Sequence, residues 1–301
     1  MINSLYSLSV DASGKELIEK NTQLFDLSLN DMDMHQYAGG YVPPHWHSEL
    51  ELFVLLTGTV TLRVGDCTHE IKAGEGCFIN TERIHSVLPK TSAPCHFRSF
   101  VFSTAMIGGT PESVFHIKYL RPLLENGPSC FLFQAASDAT FFEQFDAAYQ
   151  ACIKESFGFE FQARNALSNI LLYILSKVPA NSAHSISAVQ DKRLKIMLTW
   201  MHQNFDKNIT ISQIAGTASI CPRECQRIFQ QYLHYSPIEY LNRIRIFHAA
   251  KQLTDTDAAI TDIGLSCGFT NPSYFSKQFK TIMGSTPSEY RAASHKNSFI
   301  F

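Results

Sequence analysis

The last third of the chain repeats itself, and this repeat limits the possible folds more than any other feature. Shifted by 49 residues, Ile211 and Ile214 fall on Ile260 and Ile263. Shifted by 50, Pro222, Phe229, Pro237, Glu239 and Tyr240 fall on Pro272, Phe279, Pro287, Glu289 and Tyr290. A one-residue difference in a turn accounts for the change of offset. Each copy parses as helix, tight turn, helix. In the second copy Ala259–Cys267 reads as a short helix with one apolar face, and Gly268 can take the positive φ that ends it. Asn271 is a good N-cap, with Pro272 at the first helical position. Phe275, Phe279 and Ile282 then face inward, which leaves Ser273, Ser276, Lys277 and Lys280 to the outer side. From the equivalent helix of the first copy, 221–233, Arg223, Gln226, Arg227 and Gln230 point outward.

Charge separates this third from the rest. The whole chain carries −2, but residues 1–190 sum to −7 and residues 191–301 to +5. A basic, doubly repeated helix-turn-helix presenting amides, hydroxyls and cations suits a polyanion, and such groups reach base edges and phosphates when a helix enters a major groove. The DNA-reading set expected here is Arg223, Gln226, Arg227, Gln230, Asn271, Ser273, Tyr274, Ser276, Lys277 and Lys280. Two docked heads place their sites about one helical turn apart on the DNA.

These residues carry a family resemblance. The stretch 191–291 resembles the two-headed DNA-binding domain of AraC/XylS-type transcription regulators. Its second copy matches through Gly268-Phe269, Ser273-Tyr274-Phe275, Phe279-Lys280, Gly284, Thr286-Pro287 and Tyr290-Arg291, and its connecting helix through Arg245, Ala249 and Leu253. The first copy departs from the pattern: His234 stands where the family has Gly, Cys221-Pro222 replaces a Ser-initiated helix, and Ala218-Ser219-Ile220 replaces a Gly-hydrophobic turn.

Upstream the periodicity changes. Residues 20–103 read as short strands at hairpin spacing (Glu51–Leu56, Val60–Val64, Cys67–Ile71, Gly76–Ile79 and Phe97–Phe102) separated by turns at Gly58, Gly65-Asp66 and Lys72–Gly74. Many short strands with regular turns predict a barrel or jelly roll. Over 138–178 the period becomes helical: Phe141, Phe142, Phe145 and Tyr149 form one stripe. Leu167, Ile170, Leu171, Ile174, Leu175 and Val178 form another, after a break at Ser156–Gly158. The second stripe can cover the barrel or meet its copy in a second subunit, and the expectation adopted is the homodimer. A leading Pro and small polar residues make 179–190 linker-like. The chain is therefore expected to be α+β with two domains. Residues 1–180 form an N-terminal barrel with covering helices, 181–190 a linker, and 191–295 an all-α domain with two helix-turn-helix motifs.

Within the strands, Gly39, His45, His47, Glu51 and Gly58 have the spacing of the first cupin motif. Gly74 and His85 resemble a degraded second one, with Asn80, Glu82 and Pro89 at its altered positions. If one strand runs through them, His45, His47, Glu49 and Glu51 share a face by period two. Three imidazoles and a carboxylate suit iron, manganese, nickel or zinc. The sensor domains of AraC-type regulators resemble cupins without needing a metal. The expected role of His45, His47, Glu51 and His85 is thus an effector pocket without metal or cofactor; Trp46, Phe53, Phe78, Phe97 and Phe100 could line the same cavity, although core packing is the favoured reading of each.

Other classes recede. The chain opens without a basic-then-apolar leader, and its longest apolar runs, Leu52–Leu56 and Ile170–Leu175, are too short to cross a bilayer. Eight scattered cysteines suit free thiols in a reducing cytoplasm. Cys221 and Cys225 lack the second pair of ligands a zinc site needs. The resemblance implies a cytoplasmic, non-enzymatic regulator; an activator is the reading adopted, although the sequence does not say whether transcription rises or falls. Its partners are promoter DNA, RNA polymerase and a small-molecule effector, with a sugar favoured over a fatty acid by the polar His/Glu lining. The alternatives are a metal-dependent cupin enzyme with an accessory helical domain, and a constitutive DNA-binding protein whose barrel only dimerises.

Overall fold

In the computed structural model, residues 11, 15–18, 25–37, 39–178 and 187–297 are described. The chain divides into two compact units, with the boundary between Asp191 and Lys192.

The first unit is built on two antiparallel sheets. One has five strands in the order β1 (Leu27–Asp33), β8 (His96–Phe102), β3 (Leu50–Leu55), β6 (Gly76–Ile79), β9 (Cys130–Phe133). The other has four, in the order β2 (Val42–His45), β7 (His85–Pro89), β4 (Thr59–Val64), β5 (Cys67–Lys72). The expected strand-rich unit is thus a double-sheet arrangement. Short helices α1 (Thr104–Gly108) and α2 (Arg121–Asn126) precede β9, and α3 (Ala139–Lys154) and α4 (Phe159–Lys177) follow it.

Period-two alternation assigns each strand residue to one of two cores. Between the sheets lie Met32, Phe53, Leu55, Cys77, Ile79 and Phe97 from the larger sheet, against Val42, Val60, Leu62, Val64, Ile71 and Val87 from the smaller. On the other face of the larger sheet, Leu27, Leu29, Leu50, Leu52, Val54, Phe78, Phe100 and Phe102 meet α3 and α4. Strand β3 is accordingly buried along its whole length. Phe78 and Phe100 belong to the helix-side core, so they pack as core residues, the favoured reading, and do not line the space between the sheets. Each sits one residue out of phase with the inward-facing positions.

The α4 stripe has the same fate. Leu167, Ile170, Leu171 and Ile174 are at most 2% exposed, and Leu175 and Val178 pack against the same cluster. This chain's own sheet and α3 cover the face that was expected to bind a second subunit. The stripe is long because it faces both the sheet and the antiparallel α3.

The second unit is helical: α5 (Ser187–Asn204), α6 (Ile211–Thr217), α7 (Pro222–Leu233), α8 (Pro237–Asp255), α9 (Ile260–Ser266), α10 (Pro272–Met283) and α11 (Pro287–Asn297). Helix α5 begins at Ser187, so residues 187–190 of the expected linker form its first turn. Residues 179–186 lie outside the described set.

The repeat is structural as well as sequential. In the turn between α6 and α7 the Ile220 amide donates to the Ala215 carbonyl (3.1 Å); between α9 and α10 the Phe269 amide donates to Gly264 (3.0 Å). Ser219 holds φ +54° where the second copy has Gly268 at +82°, and His234 holds +57° where it has Gly284 at +77°. The first copy thus adopts the same left-handed corners with residues that have a Cβ, at about 1 kcal/mol each. Replacing Ser219 by Gly is therefore expected to raise the unit's stability by ~0.5–1 kcal/mol in chemical unfolding. A loss of stability would show that the Ser219 side chain makes a compensating interaction.

Candidate effector site and DNA-reading heads

In the β unit, His45 at the end of β2 is the register partner of His85 at the start of β7. Glu51 comes from β3 in the facing sheet, and His47 from the connection between β2 and β3. Their ligating atoms lie within 4.8 Å of one another, and all four residues are buried. The four side chains named from the sequence do converge, and they bridge the two sheets.

The geometry is specific. Nδ1 of His45 donates to the Pro43 carbonyl at 2.8 Å, Nδ1 of His47 to Glu49 at 3.1 Å, and Nδ1 of His85 to Arg83 at 2.8 Å. A carbonyl can only accept, so each ring is held with Nδ1 protonated and Nε2 turned inward. His47 Nε2 lies 3.3 Å from Glu51 Oε2 in a hydrogen bond. His85 Nε2 is 3.1 Å from the same oxygen but misaligned, and it is buried without a hydrogen bond.

Burial sets the charges. It pushes the His45 pKa well below the ordinary histidine value, with the neighbouring His85 and His47 adding to the effect. Burial also opposes charge on His47, but its hydrogen bond to Glu51 and the carboxylate's charge outweigh that and raise its pKa. Burial alone would raise Glu51; hydrogen-bonded His47, together with His85, holds it well below the usual carboxylate range. The site therefore favours an ionised Glu51 beside a protonated His47.

Two participants escaped the sequence reading. Glu16 Oε2 lies 3.4 Å from His45 Nε2, and its backbone amide donates to the Trp46 carbonyl at 2.9 Å. Burial raises its pKa to about 7, with His47 opposing and Glu51 and Glu49 reinforcing. Tyr37 stacks on Phe97, which stacks on Phe53, and burial followed by Glu16 and Glu51 pushes its phenol upward. Glu16 lies 29 residues before His45, and no local pattern links the two.

Glu49 does not join the cluster. Residues 46–49 lie between β2 and β3 and belong to neither strand, so period two does not run from His45 to Glu51. Its carboxylate instead accepts from the Ser48 hydroxyl (3.1 Å).

In the helical unit all ten expected DNA-reading residues are exposed. Cys225, Ile228 and Phe229 form the inward side of α7, and Phe275 and Phe279 that of α10. Three of the ten already have partners within the chain. Asn271 caps α10, its Oδ1 accepting from the amides of Ser273 (2.9 Å) and Tyr274 (3.0 Å). Tyr274 accepts from Asn242 of α8 through its hydroxyl at 2.9 Å. Arg227 is gripped on two sides by Glu224 (2.7 and 2.8 Å) and by Gln231 (2.9 Å). Arg223, Gln226, Gln230, Ser273, Ser276, Lys277 and Lys280 complete the two faces.

Both heads are tied to α8. Arg245 of α8 donates to the carbonyls of Phe205 and Lys207, each at 2.7 Å, satisfying the chain just past the end of α5. Gly268 sits in the same place: a Cβ there would lie 2.8 Å from both the Phe205 and Asp206 carbonyl oxygens.

Known proteins agree with this division. A family profile described as "AraC-like ligand binding domain" matches residues 35–167, and one described as "Helix-turn-helix domain" matches 214–293. The chain is 24% identical over 285 residues to the uncharacterized HTH-type transcriptional regulator YdeC of Bacillus subtilis, covering 94% of this chain and 97% of that one. It is 28% identical over 138 residues to the melibiose operon regulatory protein of Escherichia coli, covering 46% of each. The crystal structure of ToxT from Vibrio cholerae aligns with 89% of the chain and 96% of its own at 14% identity and a TM-score of 0.44. With a ligand-binding β unit, a repeated helix-turn-helix unit and a full-length regulator as relative, the chain belongs to the AraC family of transcription regulators.

Proposed function

We propose that the chain is an effector-controlled activator in the cytoplasm, and that the cluster of His45, His47, Glu51 and His85 is where its effector binds. The observation that carries this reading is the convergence of four buried polar side chains between the sheets of a ligand-binding unit. Structural cores seldom bury such groups without a partner. The unit acts as a sensor and not as an enzyme, a reading supported by relatives that are regulators. No described helix is long and apolar enough to cross a membrane, which fits a soluble regulator. A polar effector fits the His/Glu lining, and a relative named for the melibiose operon supports a sugar. Its DNA partner is a promoter, where an activator acts on RNA polymerase. A homodimer remains part of this reading, supported by exposed apolar Phe157 and Phe161 at the end of the α3–α4 pair.

Thermal-shift screening of the full chain against sugars and other small polar compounds tests the reading. The expected result is a ligand that raises the melting temperature and alters promoter binding, with both effects lost in His45→Ala and His85→Ala proteins that still bind DNA. Retained responses in those variants would move the effector elsewhere.

DNA recognition makes a separate prediction. Binding sites selected from random duplexes are expected to contain two elements about 10 bp apart. Arg227→Ala is expected to cost ~1–3 kcal/mol at one base pair of such a site and to relax specificity there. A uniform loss over all sequences would assign Arg227 to phosphate, and unchanged binding would show that Glu224 keeps it out of the interface.

A further inference from the structure

We propose that Glu224 is a positioning residue for DNA readout. It holds the Arg227 guanidinium as a fixed fork that selects guanine at one position of the site, so that the first head supplies base preference where Lys277 of the second supplies charge. The inference rests on the reading that α7 enters the major groove.

Three side chains of α7 build the fork. Nε and Nη2 of Arg227 donate to the two carboxylate oxygens of Glu224 at 2.8 and 2.7 Å, and Nη1 donates to Oε1 of Gln231 at 2.9 Å. Residues three and four apart are neighbours on a helix surface, so Glu224 and Gln231 flank Arg227 along the axis. A guanidinium has five N–H groups. Three are engaged, which leaves one hydrogen on each terminal nitrogen. Guanine presents two adjacent acceptors, O6 and N7, to such a pair in the major groove.

Glu224 is not used as a cap. It is the third residue of α7, and at that position of α8 and α11 Glu239 and Glu289 reach back to the amides of Ser236 and Thr286, at 2.7 and 2.8 Å. Cys221 gives α7 no side-chain cap, and Glu224 turns both oxygens to Arg227 instead. With the two side chains 30% and 50% exposed, the pair adds little stability. Its effect is on orientation: an arginine held in place loses less freedom when it binds.

Charge separates base from phosphate. The hydrogen bonds from Arg227 lower the Glu224 pKa, so the carboxyl is ionised at neutral pH. The pair is then neutral overall, and its carboxylate repels a phosphate. A base edge is read by donor and acceptor geometry rather than by net charge.

The second head lacks this arrangement. Fifty residues on, Lys277 stands for Arg227, Tyr274 for Glu224 and Thr281 for Gln231. The Tyr274 hydroxyl accepts from Asn242 of α8, and the Thr281 hydroxyl donates to the Lys277 backbone carbonyl, each at 2.9 Å. Neither holds the Lys277 ammonium. A point charge on a flexible stem suits phosphate better than a base edge.

The test selects sites from random duplexes with the full chain, then measures affinity for the selected site, its single-base variants and an unrelated duplex over a salt series. The parent is expected to prefer guanine at one position by about tenfold or more. Glu224→Gln keeps the size but not the charge. It should reduce that preference by about fivefold or more, bind unrelated duplex more tightly, and steepen the log–log salt dependence by about one unit. A Glu224 that only steadies the helix predicts a lower melting temperature and uniformly weaker binding with base preference intact, and that result overturns the proposal. Arg227→Lys keeps the charge without the fork and should lose the same preference, which decides the matter should Glu224→Gln not fold. Retained guanine preference in a folded Arg227→Lys protein overturns the proposal. Lys277→Ala should weaken binding to every duplex alike and flatten the salt dependence by about one unit. Loss of preference at a single base there overturns the division between the heads. Arg227→Ala separates the two readings. Unchanged binding removes α7 from the groove, and the proposal with it. Guanine preference lost in Arg227→Ala but kept in Glu224→Gln overturns the role of Glu224 alone.

Discussion

Leu171→Glu should leave the β unit unable to fold, whereas Leu172→Glu, one residue along, should leave it intact. Leu171 is 2% exposed in the core formed by the larger sheet, α3 and α4, while Leu172 is 50% exposed on the outer side of α4. Removing the buried leucine costs ~2–5 kcal/mol, and placing a carboxylate among hydrocarbon adds the desolvation of a charge without a partner. Such a sum rivals the whole stability of an ordinary domain. At position 172 the change should stay within about 0.5 kcal/mol. Soluble yield and the thermal unfolding profile of the two proteins decide the matter. A folded, monomeric Leu171→Glu protein would restore the stripe as a subunit interface, against its placement in the core.

Gly268→Val should have the largest effect in the helical unit. The residue holds φ +82°, and its missing side chain faces the carbonyl oxygens of Phe205 and Asp206 at 2.8 Å, with Arg245 Nη2 at 2.9 Å. A β-branched side chain there meets unfavourable backbone torsions and collides with backbone that cannot rotate away. It would also push Arg245 off the carbonyls of Phe205 and Lys207. A loss of ~3 kcal/mol or more, with loss of specific DNA binding, is expected. Gly284→Ala is the control. Its φ is +77°, but nothing lies within 4 Å of the added carbon, so only the torsional cost of ~1 kcal/mol remains. Similar losses for both proteins, measured by denaturant unfolding, would show that close contact at Gly268 contributes little.

The helical unit was the more legible half of the sequence, because its signals are local. Caps and corner glycines occur within a few residues of the turns they shape, as Asn271 and Gly268 do. The first copy shows the limit of that legibility. Ser219 and His234 do not announce left-handed corners, yet the surrounding helices impose them. In the β unit the strands around Glu51 and Phe97 were readable, but the phase of each strand was not. That is why Phe78 and Phe100, favoured as core residues, could not be assigned to one of the two cores. Periodicity showed that one face of α4 is apolar without showing what covers it. Spacing brought together His45, His47, Glu51 and His85, whereas Glu16 reaches them only through the tertiary fold.

Strand β3 has a mechanical consequence. Alternate residues face two close-packed interiors: Glu51, Phe53 and Leu55 look toward the histidines and the facing sheet, and Leu50, Leu52 and Val54 toward the helices. Interiors at this density compress very little. A ligand that draws the Glu51 backbone toward the histidines therefore cannot displace it alone. The pull moves the strand, the strand moves the leucines on its far side, and α3 and α4 must shift or repack in response. The chemistry between the sheets and the position of α4 are thus two readings of one rigid lever, with no slack in the backbone between them.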